Sequence, residues 1–225
     1  MNFYKARNDL GKRKRFSRGV IVGEFESTLT RCSECGITWS MPGFGRWFND
    51  MTYNLRIYMD RDHHPDFSGV SGYPIVSTAA KTMLAETFSN AVDFCDIEMV
   101  PAESLPEELK KEIRTRNGSR ELKNISNTPP QYHRLLLKHG IEADYQKSNI
   151  ELAVDCAMCG FKRYVTTGSS YIRDEPMYLI ESTWKGYGVF NVECRGNHLF
   201  CTEKFVETYK QNKLTGLEFE QVQLV

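Results

Sequence analysis

Cys32-Ser33-Glu34-Cys35-Gly36 and Cys156-Ala157-Met158-Cys159-Gly160 are two copies of one motif, and the rest of the chain is best read outward from them. Two residues between cysteines let a tight turn aim both sulfurs at one ion. A glycine just after the second cysteine lets the chain leave that turn at positive φ. One copy is a weak signal. Two copies supply the four soft ligands of a closed tetrahedral site, so Cys32, Cys35, Cys156 and Cys159 are expected to hold one structural Zn2+. Apparent zinc binding energies of roughly 10–16 kcal/mol in small zinc domains rival the net stability of a whole domain, about 5–15 kcal/mol, so the metal is expected to weigh heavily on folding.

A Cys-x-x-Cys is also a redox pair, which usually opens a helix so that its first thiol sits at a helix N-terminus. Neither copy here is followed by helical spacing, since Ile37-Thr38-Trp39-Ser40 and Phe161-Lys162-Arg163-Tyr164-Val165-Thr166 read as extended. Unliganded or disulfide-bonded cysteine is the remaining alternative. Seven cysteines is an odd number, which suits a reducing compartment better than a complete disulfide framework.

A 225-residue chain has room for one large domain or two small ones, and can bury a proper core. No apolar run approaches the length of a membrane span and no signal peptide opens the sequence, so a cytoplasmic protein without a membrane partner is expected. A formal net charge of zero argues against a surface built to hold nucleic acid. The basic segment Lys12-Arg13-Lys14-Arg15 with Arg18 is the local exception, readable as a phosphate-binding arm or as a solvated connection.

Along the chain, Gly19-Val20-Ile21-Val22 reads as a short strand before the first motif. The aromatic stretch Trp39 to Phe48 follows it and is either a recognition loop or packing over the metal. His63-His64 reads as surface. Ser77-Thr78 caps a helix with apolar positions Ala80, Met83, Leu84, Phe88 and Ala91, and a strand from Val92 to Val100 comes next. Residues 101–140 read as a helical insertion. Ser104-Leu105-Pro106-Glu107 is a capping box opening a charged helix that Asn117-Gly118 breaks. Thr128-Pro129-Pro130-Gln131 opens a second helix carrying Tyr132, Leu135 and Leu136 and stopped by Gly140, with His133 and His139 on its surface or cap.

The second half resembles the first. The cysteines repeat 124 positions apart, and Ser77 corresponds to Thr202 about one position later, each capping a helix. The helix Glu203 to Lys213 ends at Thr215-Gly216, and a strand from Leu217 closes the chain. Both final strands shift phase, from Val92 and Phe94 to Ile97 and Met99, and from Leu217 and Phe219 to Val222 and Leu224, as a bulge in each would cause. The expected fold is therefore α+β, a single domain over 1–225 with an internal pseudo-repeat, about 1–100 and 141–225, each half carrying a knuckle, a helix and a C-terminal strand. A single zinc between equivalent knuckles would lie near a pseudo-twofold axis. Cys95 and Cys201 read as core cysteines, while Cys194 and His198, with Cys201, leave a second site open. No phosphate loop, nucleophile elbow or His-Glu-x-x-His is present, and no reaction is expected.

With both knuckles, the opening Phe3-Tyr4, and the ending Phe200-Cys201-Thr202-Glu203-Lys204-Phe205 followed by Thr215-Gly216-Leu217-Glu218-Phe219 in view, the chain resembles the double-CXXCG-motif proteins of bacteria. Those are immunity proteins encoded beside polymorphic toxins of contact-dependent competition. The resemblance covers most of the chain but not the insertion. It implies a cytosolic protein that binds and neutralises a cognate toxin domain through a rigid surface, with Trp39, Phe44, Arg46 and Trp47, or the charged Glu107 to Arg116 helix, as anchors. The rival reading is a zinc ribbon that binds nucleic acid through Lys12 to Arg18 and the exposed aromatics.

Overall fold

The structure is a computed structural model and describes residues 1–8, 19–22, 30–36, 38–39, 55–59, 63–70, 73–117, 130–166, 176–195 and 198–225. In chain order the elements begin with strands β1 (Phe3–Asn8), β2 (Gly19–Ile21), β3 (Thr30–Arg31), β4 (Thr38–Trp39), β5 (Leu55–Met59), β6 (Phe67–Val70) and β7 (Tyr73–Ser77). Helix α1 (Thr78–Thr87), strand β8 (Val92–Met99), helix α2 (Glu107–Asn117) and strand β9 (Tyr132–Leu137) follow. The rest is β10 (Ile150–Asp155), β11 (Lys162–Thr166), β12 (Tyr178–Leu179), β13 (Val189–Phe190), β14 (Leu199–Thr202), helix α3 (Glu203–Gln211) and β15 (Leu217–Leu224). This is a mixed α+β fold, mostly strands with few helices.

Two sheets carry the body, in the orders β2-β5-β8-β9-β7-β6 and β12-β15-β1-β14-β13. The five strands of the second correspond in order to β5-β8-β9-β7-β6 of the first, and β2 has no strand counterpart. In the first, helix α1 joins β7 to β8, and β9 lies between those two strands, antiparallel to both. In the second, α3 joins β14 to β15, and β1 lies between them in the same way. The registers agree as well: Tyr132 faces Ser77 and Leu137 faces Val92, just as Phe3 faces Thr202 and Asn8 faces Leu217. Beyond the middle strand, β5 runs parallel to β8 with Ile57 opposite Met99, and β12 runs parallel to β15 with Leu179 opposite Leu224.

Each sheet has one face on a shared core. Successive residues of a strand point to opposite faces, and the buried residues sort accordingly. Phe67, Val76, Val92, Leu135 and Leu137 of the first sheet join Ala6, Val189, Leu199 and Cys201 of the second, together with Met83, Leu84 and Phe88 from the α1 region and Phe205, Val206 and Tyr209 of α3. The opposite face of the first sheet buries Ile57, Val70, Ile75, Ile97 and Tyr132. That of the second buries Phe3, Leu179, Phe190, Phe200 and Val222. A polar latch ties the sheets together at one end: the Asp66 carboxylate accepts hydrogen bonds from the Ser77 hydroxyl (2.8 Å) and from the Thr215 amide and hydroxyl (both 2.9 Å).

Four expectations need correction. The second helix of the insertion is instead strand β9, so residues 101–140 contain one α-helix among those described. Tyr132, Leu135 and Leu136 have helical spacing because β9 is covered on both faces, and a strand in that position reads as a nearly continuous apolar run. His133 is accordingly a buried strand residue, its Nδ1 3.2 Å from Asp96, and not a helix-surface residue. His139 lies past the end of β9 in a bridge with Asn191. Next, the phase shifts in β8 and β15 are not bulges, because both ladders run in unbroken register. Val92 and Phe94 face the shared core and Ile97 the opposite one; Leu217 and Phe219 face the shared core and Val222 and Leu224 the opposite one. Each strand changes the face it buries halfway along. Finally, the capping box is displaced: α2 begins at Glu107, with the Pro106 carbonyl accepting from Lys110, two residues beyond Ser104. The Ser77 cap holds, its hydroxyl accepting from the Ala80 amide, whereas the Thr202 hydroxyl donates to the Gly188 carbonyl instead.

Candidate metal centre

Each cysteine motif closes a small hairpin. Strands β3 and β4 pair Arg31 with Thr38 across the first motif, and β10 and β11 pair Asp155 with Lys162 across the second, so the two loops have equal length. Within each loop the glycine amide donates to the first cysteine's carbonyl, Gly36 to Cys32 at 3.0 Å and Gly160 to Cys156 at 2.7 Å. Both glycines sit at positive φ, +70° and +69°, where a side chain would be strained, which explains the residue after each second cysteine.

The two hairpins bring all four sulfurs within 4.8 Å of one another. Cys32 Sγ lies 3.7 Å from Cys156 Sγ, and Cys35 Sγ lies 3.8 Å from Cys159 Sγ. A tetrahedral ion with bonds of about 2.3 Å to sulfur requires sulfur–sulfur edges of about 3.8 Å. A disulfide would need about 2.05 Å. The spacing thus fits a metal ion held by four thiolates and excludes disulfides between these sulfurs as they stand. Cys32 and Cys156 are buried, and Cys35 and Cys159 half-buried.

Crowding four thiols makes their ionisation unequal. The Cys35 backbone amide favours the Cys32 thiolate and, against burial, brings that thiol down to about 7. At Cys156 the Cys159 amide acts in the same direction, but burial and hydrogen bonds to the neighbouring sulfurs prevail and push it up to about 12. A bound cation would remove that opposition. An ion held by all four thiolates would have no coordination position left for water or substrate, the arrangement typical of structural sites.

The intervening residues bridge the knuckles. The Glu34 carboxylate accepts from the Met158 amide at 3.2 Å and lies 3.5 Å from Cys156 Sγ, and the Ser33 hydroxyl donates to Met158 Sδ at 3.3 Å. These three contributors were missed in the sequence, although their position between the cysteines places them beside the sulfurs. Among the described residues the four thiols are the metal-capable group that converges. Cys194 and Cys201 do not join one: they are buried in different cores, on opposite faces of the second sheet. Cys201 is a core cysteine as expected, and Cys95 is half-buried. Trp39 is placed as a backbone partner of Thr30, while Phe44, Arg46, Trp47 and the basic segment Lys12 to Arg18 lie outside the described residues. No helix among the described residues is long and apolar enough to cross a membrane.

In comparison with known proteins, no protein-family model matches the chain, and no curated protein matches it.

Proposed function

We propose that Cys32, Cys35, Cys156 and Cys159 hold one structural zinc ion, and that the protein is a cytoplasmic, non-enzymatic binding protein that neutralises a cognate toxin domain. The observation that carries the metal is the convergence of four sulfurs within 4.8 Å, with cross-motif distances of 3.7 and 3.8 Å, from two motifs 124 residues apart. The immunity reading rests on the resemblance to the double-CXXCG-motif proteins, and a site with no open coordination position is consistent with binding in place of catalysis.

The chain is, on this reading, two related units. One spans about 19–137 and the other about 138–225, completed by β1 from the N-terminus. These bounds shift the sequence-based halves so that each unit owns one sheet and one knuckle. Matching ladder registers support the equivalence. The zinc then lies between the units, near their pseudo-twofold axis.

An immunity surface should bury on the order of 1,200–2,000 Å² with aromatic and arginine anchors, for which Trp39, Phe44, Arg46 and Trp47 are the candidates. The test is growth of a bacterial host expressing the product of the adjacent gene, with and without this protein, followed by co-purification. Rescue with a stable complex, lost on Arg46→Ala with Trp47→Ala, is the expected result. Toxicity that the protein does not relieve overturns the reading. A complex with nucleic acid whose affinity falls steeply with salt would replace it with the zinc-ribbon alternative.

A further inference from the structure

A two-stranded hairpin is marginal in water, yet a four-thiolate site needs each knuckle held to within fractions of an ångström. The β10–β11 hairpin is a demanding case. Glu151, Leu152 and Ala153 are exposed along β10, and its ladder carries an irregularity between Leu152 and Val154. Ile150 is buried in the outer core of the second sheet, and Tyr164 packs against that core. A polar group fastens the end nearer the cysteines. Lys162, three residues after Cys159, donates to Glu193 at 2.9 Å from the 3-10 turn Glu193–Arg195. The Tyr145 hydroxyl lies 3.4 Å from both the Tyr164 hydroxyl and the other Glu193 oxygen, and the two rings stand 5.4 Å apart.

The group is half-buried, where an ion pair counts for more than at the open surface. Burial by itself would raise the Glu193 pKa, but the hydrogen bonds from Lys162 and Tyr164 outweigh it and hold the carboxyl below its ordinary value. The Lys162 amine is held above its own, chiefly by the same hydrogen bond. Both therefore remain charged and paired at neutral pH.

At the corresponding sequence positions the first knuckle does not carry these residue types. Cysteines of the two knuckles stand 124 positions apart, and Ile57 and Leu179, which hold equivalent ladder positions, stand 122 apart. Counted back by those offsets, Lys162 and Tyr164 correspond in sequence to Thr38 and Ser40, and Tyr145 and Glu193 to Gly23 and Ser71. None of the four carries a carboxylate, an amine or a phenol.

We propose that Glu193, with Lys162, Tyr145 and Tyr164, is a positioning clasp that holds the second knuckle in metal-binding geometry, so that zinc affinity depends on residues that never touch the metal. This rests on the zinc reading above. Outer partners of metal ligands typically change affinity by about 10–100-fold when removed, and the clasp acts on Cys156 and Cys159 through the strand that follows them.

The test measures zinc affinity of the full-length protein by competition with a chelating dye, and the absorption spectrum of the cobalt-substituted protein, for wild type, Glu193→Gln and Tyr145→Phe. Glu193→Gln is expected to bind zinc about 10–100-fold more weakly and to show an altered cobalt–thiolate spectrum, with an unchanged melting temperature for the metal-free protein. Lys162→Arg, which preserves the ion pair, is expected to retain wild-type affinity. A merely structural residue would lower the metal-free melting temperature and leave affinity and spectrum alone, and that result overturns the proposal. If Glu193→Gln does not fold, Tyr145→Phe carries the test, since it removes one hydroxyl. Should wild type bind no zinc, the metal reading falls and the clasp with it; should wild type bind and both variants match it within about threefold, against the 10–100-fold expected, the clasp alone is wrong.

Discussion

The shared core and the thiol cluster both join the two sheets' chain segments, but they do so by different means. The core draws Phe67, Val76, Val92 and Leu135 from one sheet and Ala6, Val189, Leu199 and Cys201 from the other, and fills the space with α1 and α3 side chains. The thiol cluster draws two cysteines from each of two small hairpins, and none of its members belongs to an apolar cluster. Burial of this kind is worth about 25 cal/mol per Å² wherever apolar surface leaves water, whereas a metal stabilises only the part of the molecule whose opening releases it. On this argument the core sets global stability, and an ion held by the four thiols would set the geometry of the knuckles. The sequence-based expectation that zinc weighs heavily on folding opposes that division, and Cys156→Ser decides between them.

The largest effect should come from the core. Phe205 is fully buried, with ring centroids 5.6 Å from Phe88, 6.0 Å from Phe67 and 6.1 Å from Phe219, so it touches elements of both sheets. Phe205→Ala should cost about 3–5 kcal/mol and lower the urea midpoint of both sheets in one transition. A cost under about 1 kcal/mol, or sheets that melt separately, would break the idea of one shared core.

Gly216 should come next. It sits at φ +104° beside the Asp66–Thr215 latch, and a Cβ there would collide with the Phe67 carbonyl oxygen. Backbone strain of about 1–3 kcal/mol adds to displacement of β6, so Gly216→Ala should destabilise by about 2 kcal/mol or more. Gly186, also at positive φ but with nothing within 4 Å of its Cβ, is the control: its alanine variant should lose less.

Cys156→Ser should separate the two regions most clearly. Zinc content by elemental analysis should fall from one ion per chain to none, with circular dichroism of the body retained and a loss of melting temperature smaller than that of Gly216→Ala. Aggregation, or melting as early as Phe205→Ala, would show that the metal holds the whole fold together.

The difference between these regions also explains what could be read in the sequence. The knuckles were legible because their geometry is local: two cysteines, a tight turn and a positive-φ glycine specify each other within five residues. The caps at Ser77 and the helix at Glu203 were legible for the same reason. Strand β9 was not, since its burial on both faces depends on β7 and β8 lying on either side, a fact that no window around Tyr132 contains. The same non-local origin defeated the reading of the phase shifts. Val92 and Ile97 point to opposite faces because the strand leaves one core and enters another, a change that looks from sequence like a bulge. Glu34 and Met158 were visible as residues, but their cross-knuckle pairing needed the hairpins to be placed together.

The smallest effect tests the periphery against the core through pH. No residue of the shared core changes charge between about pH 5.5 and 7.5, so mild acid should act elsewhere first. His139, half-buried just past the end of β9 and bridged to Asn191, is the clearest such group. Burial first, and then the charge of Lys185, hold its pKa below the ordinary 6.5, with Glu193 and Glu142 offsetting part of that. The folded state therefore takes up a proton less readily than the unfolded one. The resulting contribution is complete above pH 6.5 and drains away as pH falls through the depressed folded value. Because the ring is only half-buried, the loss should be the smallest of these effects. His139→Gln should flatten the fall in urea midpoint between pH 7.5 and 5.5, while Phe205→Ala should lower the curve without changing its shape. If His139→Gln follows the wild-type curve throughout, the acid sensitivity originates in another group, and the outer edge of the second sheet is no more responsive to pH than the core.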